Sequence, residues 1–227
     1  MFKNLLSFWK GKDFLTQVID EFGNMLSDTE IMFKAVCNKL LDNQEQPGLE
    51  EKIYEIDKRV NLLEKDIRSR IMEHLTLQPA VDLPTSLLLM SVVKDAERLG
   101  DYSKNLLQIT KFLQRPIDKA RFSSLFGDMD QEILNLFNAT KQAFIKSDEA
   151  QAKLSWKYER KIVKSCDQIV EKVANSELSV NEAVCFALIA RYFKRLAAHL
   201  ANIATSVILP LSELDYFDEK RRKEKGI

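Results

Sequence analysis

Glycine and proline are scarce in this chain, which has six glycines and five prolines among 227 residues. Most of them cluster where helices are expected to break, and long stretches without either residue are typical of an all-α protein. Cysteine is also scarce, with three residues and no CxxC pair. An odd number of widely spaced cysteines argues against a disulfide framework and predicts reduced thiols in a cytosolic protein.

A strong charge of one sign is missing, because lysine plus arginine and aspartate plus glutamate both number 34. No global field would attract nucleic acid or an anionic membrane, so nucleic acid is not expected as a partner. A signal peptide is not expected either, because the first apolar run is short and lacks a small-residue cleavage site. The segment from Leu196 to Leu211 is shorter than the roughly 20 residues of a membrane span and follows Lys194 and Arg195, which predicts a buried helix.

Motifs of common enzyme classes are absent as well. The chain contains neither a GxxxxGK[ST] phosphate loop nor a GxSxG nucleophile elbow. Di-iron oxidases use Glu-x-x-His pairs, but neither His74 nor His199 has a glutamate three residues before it. We expect His74 to end a helix as a favourable cation and His199 to be a partly buried helix residue. The sequence therefore predicts no enzymatic activity.

Apolar residues recur at steps of three and four residues, which predicts amphipathic helices. The breaks between these runs divide the chain into six long helices, at about 13–42, 49–77, 83–113, 128–146, 148–174 and 179–209. Ser179 and Glu182 form a capping box at the start of the sixth helix. Because the connections are short, we expect an all-α fold of two tandem three-helix bundles with six long antiparallel helices, at residues 1–114 and 115–227. A charged, solvated tail is expected after Leu214.

A charged segment interrupts the apolar pattern of the third predicted helix. Glu97 and Asp101 lie one helical turn apart, where a pair of like charges costs roughly 0.2–0.5 kcal/mol. Both residues fall on the side of the helix away from its apolar stripe, so their carboxylates are expected at the surface. A solvated acidic pair and a cation-binding site both agree with this spacing.

The third and sixth predicted helices share a local pattern that indicates duplication. Glu97-Arg98-Leu99-Gly100-Asp101 aligns with Lys194-Arg195-Leu196-Ala197-Ala198, and Asn105 aligns with Asn202. Three helices, a break and three further helices agree with two copies of one unit. Arginine, leucine and asparagine persist in the second copy, whereas both carboxylates are replaced.

The same segment resembles a known family. Glu97-Arg98-Leu99-Gly100-Asp101, with Asn105 one turn later, is similar to the ERxGD hallmark of PhoU proteins, the phosphate-uptake regulators of bacteria and archaea. Leu77-Gln78-Pro79-Ala80 resembles the first repeat of that family, and Arg195-Leu196 with Asn202 resembles the second. The resemblance covers nearly the whole chain.

This resemblance implies metal sites where acidic motifs on neighbouring helices meet. Carried over residue by residue, the ligands of the first repeat are Asp57, Glu97 and Asp101, while Asn61 stands where a carboxylate is expected. Oxygen ligands of this kind suit a multivalent ion such as iron, zinc, manganese or magnesium.

The second repeat departs further from the family pattern. Lys194 and Ala198 occupy both acidic positions of the sixth helix, and the fifth helix offers only Glu159 at a suitable place. We therefore expect metal in the first bundle only.

The resemblance also implies a cytoplasmic regulator that contacts a membrane phosphate transporter and/or a sensor kinase, and that reaches the inner membrane through the transporter. A helical adaptor without metal or phosphate role remains the alternative. Phe33, Phe137 and Phe144 exceed what a single narrow apolar stripe needs, which predicts exposed apolar area for a weak homodimer or a transporter contact. The apolar residues between Phe2 and Trp9 are expected to cover one end of the bundle or to dip into a bilayer surface.

Overall fold

The computed structural model describes residues 13–42, 46–78 and 82–214, and no β-strand occurs in these ranges. The helices are α1 (Asp13–Asp42), α2 (Leu49–Leu77), α3 (Leu83–Phe112), α4 (Lys119–Phe126), α5 (Met129–Lys146), α6 (Glu149–Ala174) and α7 (Val180–Thr205), followed by a 3₁₀ turn at Leu211–Glu213. The predicted all-α fold with six long helices is confirmed. The expectations for the segment from Phe2 to Trp9 and for the tail after Leu214 lie outside the described residues.

The short helix α4 is an α-helix that the sequence did not predict. The carboxylate of Asp118 accepts hydrogen bonds from the backbone amides of Ala120 and Arg121 and so caps its first turn. Gly127, with a positive φ of 56°, ends the helix. The apolar pattern of eight residues is too short to separate a helix from a connector.

Side-chain caps also fix the beginnings of the two helices that follow α5. The Asp148 carboxylate accepts hydrogen bonds from the backbone amides of Ala150 and Gln151 at the start of α6. The hydroxyl oxygen of Ser179 accepts a hydrogen bond from the backbone amide of Glu182, as half of the expected capping box. The Glu182 carboxylate instead accepts the hydroxyl proton of Ser179. At its other end α7 stops at Thr205, about one turn before the predicted end.

The long helices form two bundles of three, with α1, α2 and α3 in the first and α5, α6 and α7 in the second. Ion-pair and hydrogen-bond partners show that α1 and α2 run antiparallel, because Asp28 pairs with Arg59 whereas Gln17 pairs with Arg70. The buried apolar side chains of both bundles form one connected core. The division into domains at residues 1–114 and 115–227 therefore stays a proposal.

Aromatic side chains join the two bundles within the chain. The Phe33 ring lies 5.8 Å from the rings of both Phe137 and Phe193, and the Phe22 ring lies 4.5 Å from that of Phe144. All five are buried in the same core. The expectation that Phe33, Phe137 and Phe144 expose apolar area was wrong, because α1 packs against α5 and these rings fill the contact between the bundles.

Helices α3 and α7 cross between the bundles in antiparallel directions. The Asp95 carboxylate lies 2.6 Å from Nδ1 of His199, and the rings of Tyr102 and Tyr192 lie 6.0 Å apart. In the alignment of the two repeats Tyr192 matches Asp95 and His199 matches Tyr102, so the two contacts are related by the internal duplication. The prediction that His199 is a partly buried helix residue is confirmed.

None of the helices described by the structure is long and apolar enough to cross a membrane.

Candidate functional site

Four carboxylates lie along the contact between α2 and α3, and we refer to Asp57, Glu64, Glu97 and Asp101 as the acidic cluster. The side chains of Glu97 and Asp101 are only 18% and 27% exposed, and Asp57 is buried. Glu97 and Asp101 thus reach the surface rather than the core, as expected, but their side chains are more than half covered. Helix α3 is packed against α1, α2 and α7, so the side opposite its first apolar stripe is also largely covered.

Lys104 supplies a cation inside the acidic cluster. Its Nζ donates to Oδ2 of Asp57 at 2.8 Å and lies 3.0 Å from Oδ1 of Asp101. Burial lowers the pKa of Lys104, but the hydrogen bonds to Asp57 and Asp101, together with the negative charges of both residues, outweigh burial and raise that pKa. This ammonium therefore stays charged and connects α2 to α3. Sequence reasoning assigned Lys104 no role, although its spacing of three residues from Asp101 places both on one helical face.

Further polar side chains surround the carboxylates. The Arg98 guanidinium lies 3.0 Å from Oδ2 of Asp101 and 3.6 Å from Oε2 of Glu97, and Arg68 pairs with Glu64 at 2.9 Å. The amide nitrogen of Asn61 lies 3.4 Å from Oδ2 of Asp57. Asn61 thus acts as a hydrogen-bond donor at the position where the family pattern has a carboxylate.

The surroundings of Glu97 disfavour the charged form of its carboxyl group. Burial, followed by the negative charges of Asp101 and Glu64, raises the pKa of Glu97 to about 7, although the Arg98 guanidinium opposes this. A hydrogen bond between Glu97 and Asp101 contributes in the same direction. Near neutral pH a part of the Glu97 carboxyl groups is therefore protonated, which reduces the repulsion between Glu97 and Asp101.

Gly100 places the backbone of α3 close to α1 and α2 at this point. A methyl group on its Cα would lie 3.5 Å from Oδ1 of Asp57 and 3.7 Å from atoms of Met32 and Thr29. These are ordinary van der Waals distances. Close packing alone therefore does not require glycine here, in agreement with Ala197 at the aligned position of the second repeat.

The donor atoms of the acidic cluster have the chemistry that hard cations prefer, because all are carboxylate oxygens. As the side chains stand, they do not form a metal site. Within 13–42, 46–78 and 82–214, no three histidine, cysteine, aspartate or glutamate side chains converge closely enough to hold a metal ion. The Lys104 ammonium lies against two of the expected ligands, Asp57 and Asp101.

The second bundle holds a different set of residues at the corresponding place. When Ile162 and Ile169 of α6 are laid on Val60 and Ile67 of α2, Glu159 falls on Asp57 and Cys166 falls on Glu64. We refer to Glu159, Cys166, Lys194 and Ala198 as the counterpart cluster. Burial raises the pKa of the Cys166 thiol to about 12, so this side chain stays neutral.

Lys194 is the cation of the counterpart cluster, and it points to a different partner. Its Nζ lies 2.5 Å and 2.8 Å from the two carboxylate oxygens of Asp167 on α6. Beside this pair is a cavity of about 270 Å³, which the pair lines together with apolar and basic side chains, among them Val170, Ala187 and Arg191. Within residues 115–214, the described part of the second bundle, the positions that correspond to Glu64, Glu97 and Asp101 hold Cys166, Lys194 and Ala198 instead of carboxylates.

Comparison with known proteins agrees with the two-bundle architecture. A family model described as the PhoU domain matches residues 22–110 and 126–207. The phosphate-specific transport system accessory protein PhoU homolog 1 of Thermotoga maritima is 25% identical over 202 residues, which cover 84% of this chain and 79% of that protein. A homolog of the same description from Synechocystis is 25% identical over 78% of this chain and 80% of its own length.

Solved structures show the same fold. The crystal structure of PhoU from Pseudomonas aeruginosa superimposes with a TM-score of 0.74 at 20% identity and covers 88% of this chain and 96% of its own. The phosphate transport system regulatory protein PhoU from Streptococcus pneumoniae gives a TM-score of 0.70 at 17% identity, with coverage of 90% and 97%. Because the family model matches residues in both bundles and most of the chain, the protein belongs to the PhoU family.

Proposed function

We propose that this protein regulates phosphate transport through direct contact with a membrane phosphate transporter and/or a sensor kinase. The observation that carries the proposal is the match of the PhoU domain model to both bundles of the fold. The relatives from Thermotoga maritima and Synechocystis are named as accessory proteins of a phosphate-specific transport system. An accessory role needs contact surfaces rather than catalytic groups, so we propose that the protein is not an enzyme.

A transport assay tests this proposal directly. We expect deletion of the gene in its host to change the response of phosphate uptake to external phosphate, and the intact gene to restore it. Binding is measured by co-purification with the transporter and the kinase encoded in the same genome, from detergent-solubilised membranes. Unchanged uptake together with no contact to either protein would favour the alternative, a helical adaptor without a role in phosphate transport.

We also propose a cytoplasmic location, with attachment to the inner membrane through the transporter. Cell fractionation tests this, because the protein should sediment with membranes only when the transporter is present. A weak homodimer remains part of the proposal, although the buried rings of Phe33, Phe137 and Phe144 do not provide its surface. Light scattering over a range of concentrations distinguishes monomer from dimer.

The finer proposal is that Asp57, Glu97 and Asp101 hold a multivalent cation after the Lys104 ammonium has moved away. Oxygen ligands at these positions suit iron, zinc, manganese or magnesium. Equilibrium dialysis of protein prepared without an affinity tag measures binding, and elemental analysis identifies any bound metal. We expect the double change Glu97→Gln with Asp101→Asn to abolish binding; undiminished binding would place the site elsewhere.

A further inference from the structure

The charge of the acidic cluster is balanced largely by side chains of the protein itself. The ammonium of Lys104 touches carboxylates from two different helices, Asp57 on α2 and Asp101 on α3. The Lys104 side chain is only 20% exposed. A cation fixed between two carboxylates and largely shielded from water is held more firmly than a surface lysine.

We infer that Lys104 is the resident counter-ion of the acidic cluster and that it competes with any multivalent cation for Asp57 and Asp101. This inference rests on the proposed cation binding at the acidic cluster but not on contact with a transporter. Its basis is the disagreement between the family pattern, which implies a metal, and the structure, in which a lysine occupies two of the three expected ligands.

Physical reasons for the competition are charge and geometry. A metal ion bound by Asp57 and Asp101 would face the positive charge of Lys104 at a few ångströms, in a site where screening by water is incomplete. The carboxylates must also give up short contacts of 2.8 Å and 3.0 Å to the ammonium before they can bind another cation. Both effects lower the affinity of the cluster for metal.

Comparison of the repeats points in the same direction. The residue that aligns with Lys104 in α7 is Ala201, which is buried. The second bundle therefore lacks a lysine at this position, and it also lacks both acids of the motif. A lysine at this position is therefore present in the repeat that keeps both carboxylates of the motif and absent from the repeat that lost them. This pairing of charge with counter-charge is what a neutralising role requires.

Metal titration of Lys104 variants tests the inference. Binding of manganese(II) and of zinc(II) is measured by equilibrium dialysis for the wild type, Lys104→Met, Lys104→Gln and Lys104→Arg. We expect both neutral variants to bind at least about tenfold more tightly than the wild type, because each removes the competing charge. Lys104→Arg keeps the charge and should bind no more tightly than the wild type.

A matched control is available on the same helix. Lys111 is an exposed lysine of α3 that pairs with Glu50 at 2.5 Å, away from the acidic cluster. Lys111→Met removes the same net charge and should leave metal affinity unchanged. Adding Glu97→Gln and Asp101→Asn to Lys104→Met should remove the gain, which locates the binding.

Thermal stability provides a second readout, measured first without metal and then with it. Without metal, Lys104→Met should have a lower melting temperature than the wild type, because the acids lose their counter-ion. Adding manganese(II) should raise the melting temperature of Lys104→Met by more than it raises that of the wild type. Lys104→Gln serves the same purpose if the methionine variant does not fold, as judged by circular dichroism. Equal metal affinity in wild type and neutral variants, absence of binding in both, or an equal gain in Lys111→Met would each overturn the inference.

Failure of this inference leaves the proposed function separately testable. The transport assay reports on contact with the transporter, and dialysis reports on the acidic cluster. Normal regulation of uptake combined with unchanged metal affinity in Lys104→Met would reject the counter-ion role alone.

Discussion

The acidic cluster and the counterpart cluster occupy matching places in two copies of the same bundle, yet they handle charge differently. In the first bundle four carboxylates share Lys104, Arg98 and Arg68, and the pKa of one of them is raised to about 7. At the counterpart cluster Lys194 pairs with one carboxylate, that of Asp167. Four carboxylates therefore lie close to one another at this place in the first bundle, whereas Lys194 and Ala198 replace two of them in the second.

The comparison also shows which features of the repeat are independent of that charge. Both bundles bury an apolar stripe on their second helix, and both contribute one helix to the crossing between α3 and α7. Replacement of Glu97 and Asp101 by Lys194 and Ala198 leaves this packing in place. The fold thus tolerates either charge pattern, which makes the two clusters separable by mutation.

The largest expected effect comes from breaking the contact that holds the two halves together. Phe33→Asp places a charge against Phe137 and Phe193 in the core, where the Phe33 side chain is fully buried. Burial of an unpaired charge and loss of the ring should cost more than about 4 kcal/mol of unfolding free energy. Urea unfolding followed by circular dichroism measures this loss.

An exposed residue of the same helix provides the control for Phe33. Ile31 is 48% exposed, so Ile31→Asp should change the unfolding free energy by less than about 0.5 kcal/mol. A Phe33→Asp protein with wild-type stability would contradict the contact between the bundles. Conversion of a stable dimer to a stable monomer by Phe33→Asp would instead restore the dimer surface that the sequence predicted.

The observed burial of these phenylalanines shows that a sequence pattern does not identify which surface an apolar side chain packs against. Steps of three and four residues identified which sides of α1 and α5 are apolar, and they gave the bounds of α1 and α2 as observed. They did not show which apolar surface meets another part of the same chain. Phe33 and Phe137 were therefore assigned to a partner, although each covers the other.

The candidate site was predictable to a similar extent. The family resemblance selected Asp57, Glu97 and Asp101, and in the structure Lys104 bridges Asp57 and Asp101 while the charge of Asp101 acts on Glu97. Their role as metal ligands stays a prediction. Their burial and the role of Lys104 depend on how α2 lies against α3. A contact between Lys104 and Asp57, 47 residues apart in sequence, is determined only by tertiary packing.

A second prediction uses the raised pKa of Glu97 to sharpen the contrast in charge. The pKa of Glu97 is about 7 in the folded protein and 4.5 in its ordinary state, so the folded protein binds this proton more tightly. The favourable contribution of Glu97 to the free energy of unfolding is fully present below about pH 4.5 and is lost as pH rises through 7. Glu97→Gln should therefore stabilise the protein relative to the wild type at pH 8, by roughly 1 kcal/mol after allowance for solvent screening, and less at pH 5.

Chemical unfolding at pH 5 and pH 8 measures the difference between Glu97→Gln and the wild type. Glu55→Gln, at an exposed position of α2, is the control and should show a difference that does not change with pH. A constant difference for Glu97→Gln across this range would mean that the Glu97 carboxylate is not strained.

A third prediction makes the first repeat more like the second at the backbone. Gly100→Ala introduces the residue that Ala197 supplies in α7, and the added methyl group meets Asp57 at an ordinary distance of 3.5 Å. Alanine is favoured over glycine inside a helix by roughly 0.5–1 kcal/mol, so we expect a gain of about 0.5 kcal/mol in unfolding free energy. The reverse change, Ala197→Gly, should lose at least as much, and a clear loss in Gly100→Ala would show that Asp57 cannot accept the contact.

The smallest expected effect tests whether the ion pair of Lys194 contributes to stability or to metal affinity. Lys194→Met removes the cation but keeps a long side chain with good helix propensity. Asp167 is 60% exposed, so their pair is a surface ion pair, and its loss should cost less than about 0.5 kcal/mol in urea unfolding. Ala198 and Cys166 leave no set of carboxylates for a metal, so manganese(II) affinity should stay at the wild-type value, in contrast to Lys104→Met. A tenfold gain in affinity for Lys194→Met would show that the second bundle also holds a cation site masked by its lysine.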